Sequence, residues 1–306
     1  MEEIIKLCES LHCECLRHEP LAPHTTFKVG GEADLFVRVG SEGCLADIIK
    51  LVKSLGVPFF VIGKGSNLLV SDEGFRGVVI SVEIIGVQVD EDAGTIVCGA
   101  GVPLAKVAYA AMDSGLSGLE FAAGIPGTVG GGVYMNAGAY GGDIGQVVLS
   151  LRYLDTGDCA VKEIHSGELI FGHRTSNFSL KDGIKGIITS VTFQLSAGSM
   201  SEIRTIIDDY TKRRLQSQPL DLPSAGSTFK RPPGDYASRL IDVCGLKGMS
   251  VGGAQVSRKH AGFIVNAGGA SFRDVTELIK KVRNAVFEET GVLLEPEVRT
   301  VESGEN

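Results

Sequence analysis

The chain has 306 residues, with 29 Lys and Arg against 37 Asp and Glu and a formal net charge of −8. That length supports two or three domains around a sizeable core, and a hydrophobic content of 43% is ordinary for a folded domain. The acidic balance argues against nucleic acid as the main partner, because phosphate backbones select basic surfaces, though it leaves room for a local basic pocket that takes a small anion.

The first segment, "MEEIIKLCES", is acidic and amphipathic and lacks the basic start and small-residue cleavage site of an export signal. No apolar run approaches the roughly 18–20 residues of a membrane span, so a cytoplasmic chain with no membrane partner is expected. A helix is predicted over residues 2–16. The cluster His12, Cys13, Cys15 and His18 in "HCECLRH" has tight spacing and no second ligand pair downstream, so no metal is expected. The 7 cysteines are odd in number and scattered, and read as free thiols.

"ADLFVRV" then reads as a strand. Leu45, Ile48, Ile49, Leu51 and Val52 recur at helical spacing, Gly56 ends that helix, and "VPFFVIG" is a buried strand. Short strands follow, then the small-residue helix "PLAKVAYAAMDSG" closed by Gly115. Residues 124–145 are dense in glycine. After strands in "LRYLDT" and "GIITSVTFQL", an amphipathic helix with Ile203, Ile206, Ile207 and Tyr210 leads to "QSQPLDLPS", which reads as a domain boundary. A helix near 235–243, a second glycine-rich section and a long helix carrying Val275, Leu278, Ile279, Val282 and Val286 on one face complete the series. Ser271 and Asp274 suit a capping box at its start, and "VLLEPEVRTVE" reads as a strand. The pattern is α+β.

Glycine allows close backbone approach and φ > 0, so successive N–H groups can converge on phosphate oxygens. "GKGSN" and "GIPGTVGGG" fit that use. Neither is a nucleotide fingerprint: in "GKGSNL" Leu68 stands where G-x-G-x-x-G needs its last glycine, and no G-x-x-x-x-G-K-[ST] exists. Two such loops plus "MNAGAYGG" favour a diphosphate cradle over simple turns.

Seven segments, in order, carry a resemblance: "TTFKVGGEADLFV", "VIGKGSNLLV", "GIPGTVGGGVYMNAGAYGG", "FGHRTSNF", "SAGSTFKRP", "GGAQVSRKHAGFIVNAGGA" and "LLEPEVR". Together they resemble the UDP-N-acetylenolpyruvoylglucosamine reductase family over about residues 22–300. The resemblance implies a two-subdomain FAD-binding region of the vanillyl-alcohol-oxidase (PCMH) type followed by an α+β substrate domain. Boundaries are expected at 1–82 and 83–200 for the FAD subdomains, 201–219 for a linking helix and 220–293 for the substrate domain, with the strand 294–306 returning to the first subdomain. The short interval from Arg174 to Ser227 resembles the family type that lacks a tyrosine-bearing loop over the substrate.

On this resemblance the family's arginine falls on Arg174, its serine proton donor on Ser227 and its glutamate on Glu297. Glu295 shares the last residue's strand face, and Ser224 matches no functional position. His173 departs from the tyrosine usual before the arginine. FAD, held without a covalent link, is assigned to Gly63, Lys64, Gly65, Ser66, Asn67 and Leu68, to Gly124, Pro126, Gly127, Thr128, Gly130 and Gly131, and to Asn136, Ala137 and Gly138. Lys230, Arg231, Gln255 and His260 are the candidates for the UDP moiety. NADPH is the implied co-substrate, entering the same cleft before the UDP-sugar, and a monomer is expected. Two other readings stand beside this one: an oxidase of the same fold, which would consume oxygen, and a flavin-binding module, whose FAD NADPH would not reduce.

Overall fold

The computed structural model describes residues 1–303. It divides into two compact units, one made of Met1–Leu16, Leu35–Lys64 and Val78–Arg213, the other of Arg17–Asp34, Gly65–Gly77 and Arg214 to the C-terminus. Seven α-helices matter below: α1 (Glu2–Ser10), α2 (Glu42–Ser54), α3 (Leu104–Asp113), α4 (Val129–Tyr134), α5 (Met200–Ser217), α6 (Ala237–Val243) and α7 (Phe272–Thr290). Among the described residues no helix is long and apolar enough to cross a membrane.

In the first unit, strand Phe59–Ile62 runs parallel to Val78–Ser81, and α2 buries Leu45, Ile48, Ile49 and Val52 in the core. Ser41 caps α2, and the chain leaves it through Gly56 at φ +63, as the sequence predicts. An antiparallel five-stranded sheet in the order Val161–His165, Val148–Asp155, Gly186–Gln194, Thr95–Gly99, Val87–Asp90 packs on the same core. Helix α1 stops at Ser10 rather than at 16. His12 takes a left-handed φ of +55, and Cys15–Pro20 continues as a strand. In "LHCECLRH" the apolar helical spacing of α1 does not continue.

Helix α4 was not expected inside the glycine-dense stretch. Gly130, Gly131 and Gly132 are each about 1 kcal/mol poorer than alanine in a helix. Packing explains part of this: a Cβ on Gly130 would lie 2.9 Å from Ala100 Cβ, and one on Gly132 would press on the end of the Leu104 side chain at 3.0 Å. Thr128 offsets part of the cost as N-cap, its hydroxyl accepting from Gly131 N–H at 3.3 Å.

In the second unit, the three-stranded antiparallel sheet Ser250–Val251, Ala254–Val256, Ile264–Asn266 packs with α6 and α7. The buried face of α7 is Val275, Leu278, Ile279, Val282 and Val286, and Ser271 with Asp274 forms the capping box read from the sequence. Asp72 adds two more acceptors to that helix start, from Phe272 N–H at 2.8 Å and Arg273 N–H at 3.3 Å. The C-terminal strand Arg299–Val301 pairs in parallel with Leu68–Val70.

Candidate active site

In the first unit the two glycine loops meet. Gly63 ends the loop's first half, and a Cβ there would stand 2.5 Å from Thr128 Oγ1. The N–H groups of the second loop are already engaged: Gly127 donates to Ile125 O at 3.0 Å, Gly130 to Ala100 O at 2.9 Å, and Gly131 to the Thr128 hydroxyl. Their glycines serve packing and the α4 cap. Gly124 and Ala123 lead into the loop half-buried, and Pro126 is exposed at its tip.

Asn136 is buried, with a left-handed φ of +42, and its side chain is committed at both ends. Its Nδ2 donates to Gly172 O at 3.0 Å and its Oδ1 accepts from Gly145 N–H at 2.8 Å. Gly172 belongs to the hairpin Phe171–Gly172/Thr175–Ser176, whose two-residue turn is His173–Arg174. Arg174 sits in that turn at φ +59, a conformation that costs a side-chain-bearing residue about 1–2 kcal/mol. Its Nη1 donates to Gly138 O at 2.9 Å. Ser176 Oγ donates to Tyr134 O at 2.9 Å, fixing the hairpin's other strand. Gly142 and Gly145 admit the rings of Phe121 and Phe171, which a Cβ would meet at 2.5 and 2.7 Å. The "MNAGAYGG" stretch therefore works as a seat for the arginine hairpin. Asn136 and Gly138 brace that hairpin, and Ala137 N–H is taken by Gly132 O at 2.8 Å.

In the second unit, Gly65 at φ +59 lets the loop press on the backbone at His24, where a Cβ would lie 2.3 Å from the carbonyl oxygen. Thr26 N–H donates to Gly65 O at 3.3 Å. Among the described residues the N–H groups of Gly65, Ser66 and Asn67 donate to no protein acceptor. Asn67 instead clamps the segment around Glu297: its Nδ2 donates to Glu297 O at 3.1 Å and its O accepts from Arg299 N–H at 3.0 Å. Leu68 opens the strand paired with Arg299.

Ser227 and Glu297 are drawn together by backbone pairing. Thr228 O accepts from Glu297 N–H at 2.8 Å, Phe229 bridges Pro296, and Lys230 N–H donates to Glu295 O at 2.8 Å. On the other side Thr228 N–H donates to Gly262 O at 2.8 Å, and its buried hydroxyl accepts from Ile264 N–H at 2.9 Å. Ser227 thus projects, exposed, from a segment whose next residue is locked in the core, and Gly226 at φ +78 makes the bend before it. Ser224 bridges Val265, and its O accepts from the Thr26 hydroxyl at 2.7 Å, the turn role read from the sequence.

The UDP candidates are partly engaged within the protein. Lys230 pairs with Glu295, and Arg231 lies 4.0 Å over the Tyr236 ring. Gln255 Nε2 donates to the Ser250 hydroxyl at 3.0 Å. His260 is held below its ordinary value of 6.5, chiefly by burial, with the Lys247 charge acting the same way. Its Nδ1 accepts from Gly262 N–H at 3.2 Å, which places the proton on Nε2. The ring is therefore a neutral donor at pH 7. Thr228, the buried node of this arrangement, and the bracing roles of Asn67 and Asn136 escaped the sequence reading.

Residues 218–301 match the model of the UDP-N-acetylenolpyruvoylglucosamine reductase C-terminal domain, and residues 33–164 match an FAD binding domain. A UDP-N-acetylenolpyruvoylglucosamine reductase of Clostridium botulinum (strain Okra) is 45% identical over 283 residues, 92% of this chain and 91% of that protein. One of Clostridium perfringens (strain SM101) is 43% identical over 282 residues, again 92% and 91%. The crystal structure of UDP-N-acetylenolpyruvylglucosamine reductase (MurB) from Thermus caldophilus superposes with a TM-score of 0.78 at 36% identity, covering 95% of this chain and 99% of that one. The chain combines a PCMH-type FAD-binding region with that C-terminal domain, and it belongs to the UDP-N-acetylenolpyruvoylglucosamine reductase family.

Proposed function

We propose that this FAD-dependent reductase converts the enolpyruvyl ether of UDP-N-acetylglucosamine to UDP-N-acetylmuramate with NADPH as reductant, in the cytoplasm. The observation that carries the reading is the pairing of the Ser227 and Glu297 segments, far apart in sequence, through Thr228 and Asn67.

The chain fits the cofactor: Gly63 presents bare backbone beside Thr128, and Gly65, Ser66 and Asn67 offer N–H groups that no protein acceptor takes up among the described residues. These N–H groups, with Lys64 beside them, are the proposed diphosphate donors. Bound FAD, once reduced by NADPH, supplies the hydride that the substrate's β-carbon needs. The substrate is an α,β-unsaturated carboxylate, so hydride addition leaves negative charge spread over its α-carbon and carboxylate. Arg174 offers a guanidinium fork that binds the carboxylate and offsets that charge. Its backbone turn and the Gly138 contact hold the side chain in place before substrate arrives. Ser227 Oγ gives its proton to the α-carbon. The hydroxyl is a weak acid, but its target is a strong base, and position supplies much of the advantage. No histidine or aspartate relay is needed, because the serine is not a nucleophile. Glu297, on the segment paired with that of Ser227, assists there by hydrogen bonding. His260 Nε2–H and Gln255 serve as neutral donors toward the UDP moiety, with Lys230 and Arg231 as its cations.

An anaerobic titration tests the reading. NADPH should bleach the flavin absorbance, and UDP-N-acetylenolpyruvylglucosamine should restore it. Bleaching without recovery would leave a flavin reductase with another acceptor and sink the proposal.

A further inference from the structure

Gly138 O, which accepts from Arg174 Nη1 at 2.9 Å, lies at the foot of a second small hairpin in the first unit, Gly138–Ala139/Gly142–Asp143. That hairpin has two cross-strand pairs, Ala139 with Gly142 and Gly138 with Asp143, and so short a ladder does not hold itself together in water. Its two-residue turn is Tyr140–Gly141, with φ of +55 and +90. Two positive φ angles suit the tight turns that close hairpins, but a tyrosine seldom takes the first of them. The turn therefore needs support from outside the hairpin.

Helix α5 gives that support. Ile203 and Ile207 of α5 are buried, and Tyr210, three residues beyond Ile207 and so on the same face, is half-buried against the core. The Tyr140 ring stacks on the Tyr210 ring, with centroids 4.3 Å apart and planes 12° apart. The Tyr140 hydroxyl donates to Tyr210 O at 3.0 Å. A contact from Gln146 Nε2 to Gly141 O, at 3.4 Å and exposed, is weaker. The hairpin tip is thus pinned by a ring and a hydroxyl to one residue of an anchored helix.

We infer that Tyr210 is a positioning residue for Arg174. It holds Tyr140 in the left-handed turn, the turn holds Gly138, and the Gly138 carbonyl fixes one corner of the guanidinium fork. Without the Tyr210 ring the tip relaxes and the carbonyl moves, and a fork that must meet a carboxylate squarely loses its alignment. This role rests on Arg174 being the carboxylate clamp proposed above.

The test is a mutant cycle on the full FAD-loaded protein: the parent, Tyr210→Leu, Arg174→Lys and the double variant. Leucine keeps a helix former and the backbone carbonyl and removes the ring. Anaerobic stopped flow records NADPH reduction and substrate-driven reoxidation separately. Tyr210→Leu should slow reoxidation roughly 3–10-fold, the range that a stacked ring pair is worth, with NADPH reduction unchanged. In the Arg174→Lys background the same substitution should cost no more than roughly 1.5-fold, because the alignment it protects is already lost. Tyr210→Phe, which keeps the stack, should restore reoxidation to the parental rate. If leucine at this half-exposed site aggregates, Tyr210→Gln takes its place. Parental reoxidation in Tyr210→Leu, equal slowing of both half-reactions, or full additivity with Arg174→Lys would overturn the inference while leaving the arginine's role standing. Parental reoxidation in Arg174→Lys itself would instead bring down the clamp, and this inference with it.

Discussion

Thr228→Val, set beside Ser227→Ala, separates the residue that holds the Ser227 segment from the proposed proton donor. Thr228 is 3% exposed, and its hydroxyl is the acceptor for the N–H of Ile264, itself 1% exposed. Valine keeps the shape and removes the acceptor, while the backbone bonds of residue 228 to Gly262 and Glu297 persist. A buried amide left without a partner costs about 1–3 kcal/mol. Taking about 2 kcal/mol, and roughly 2–4 °C per kcal/mol for a chain of this size, Tm should fall by roughly 4–8 °C. Ser227 is exposed and packs no core, so Ser227→Ala should stay within about 0.5 kcal/mol of the parent. Both variants would be melted at one fixed FAD concentration, because bound cofactor raises apparent stability by mass action. They would then be compared in anaerobic stopped flow, with NADPH reduction and substrate-driven reoxidation recorded separately. Ser227→Ala should slow reoxidation by roughly 10²–10⁴-fold, the range for a positioned acid, and leave NADPH reduction near normal. Thr228→Val should lower Tm and slow reoxidation less. The reverse pattern, a stability loss in Ser227→Ala with Thr228→Val unaffected, would refute the division of roles.

Arg174→Lys keeps the charge but loses the planar fork and the bond to Gly138, so reoxidation by substrate should slow at least about tenfold, with flavin reduction by NADPH unchanged; equal slowing of both steps would count against a carboxylate clamp. Gly65→Ala places a Cβ against the His24 carbonyl at φ +59, so the purified chain should carry less flavin, read as the ratio of flavin to protein absorbance; a parental ratio would show that the loop does not need glycine there. His260, with its folded value depressed below 6.5, binds more proton unfolded than folded just under that pH. Its contribution is therefore fully present above 6.5 and is lost as pH falls through the depressed value, so His260→Gln should flatten the fall of Tm between pH 7.5 and 5.5. An identical Tm–pH curve would show that the ring's burial has no such linkage.

The periodic parts of the fold were legible because one physical rule governs them. The apolar faces of α2 and α7, the Gly56 exit and the Ser271–Asp274 box follow from helical spacing and capping alone. The end of α1 was misplaced because a positive φ at His12, with no glycine to announce it, turns the chain into a strand. Helix α4 was hidden because three glycines argue against a helix, and the contacts with Ala100 and Leu104 that bear on Gly130 and Gly132 are tertiary. In the candidate site the same glycines pointed to phosphate binding in general but could not say which N–H groups stay open. Gly127, Gly130 and Gly131 turn out to donate within the protein, because the partners Ile125, Ala100 and Thr128 are set by tertiary packing. Thr228 was missed for a related reason: its importance lies in two backbone bonds and one hydroxyl contact to residues remote in sequence, which no local motif encodes.

The clamp of Asn67 on the Glu297 segment spans 230 positions of chain. On a ribosome adding roughly 5–20 residues per second, the loop Gly65–Asn67 waits on the order of 10–50 s before its brace has even been made. The second unit gathers Arg17–Asp34 and Gly65–Gly77 with everything after Arg214, so it closes only when synthesis is nearly done. On the proposed reading, flavin capture by this loop would be a late, post-translational event. A nascent chain that stops short of Arg299 leaves the loop without its strand partner, however complete the first unit has become.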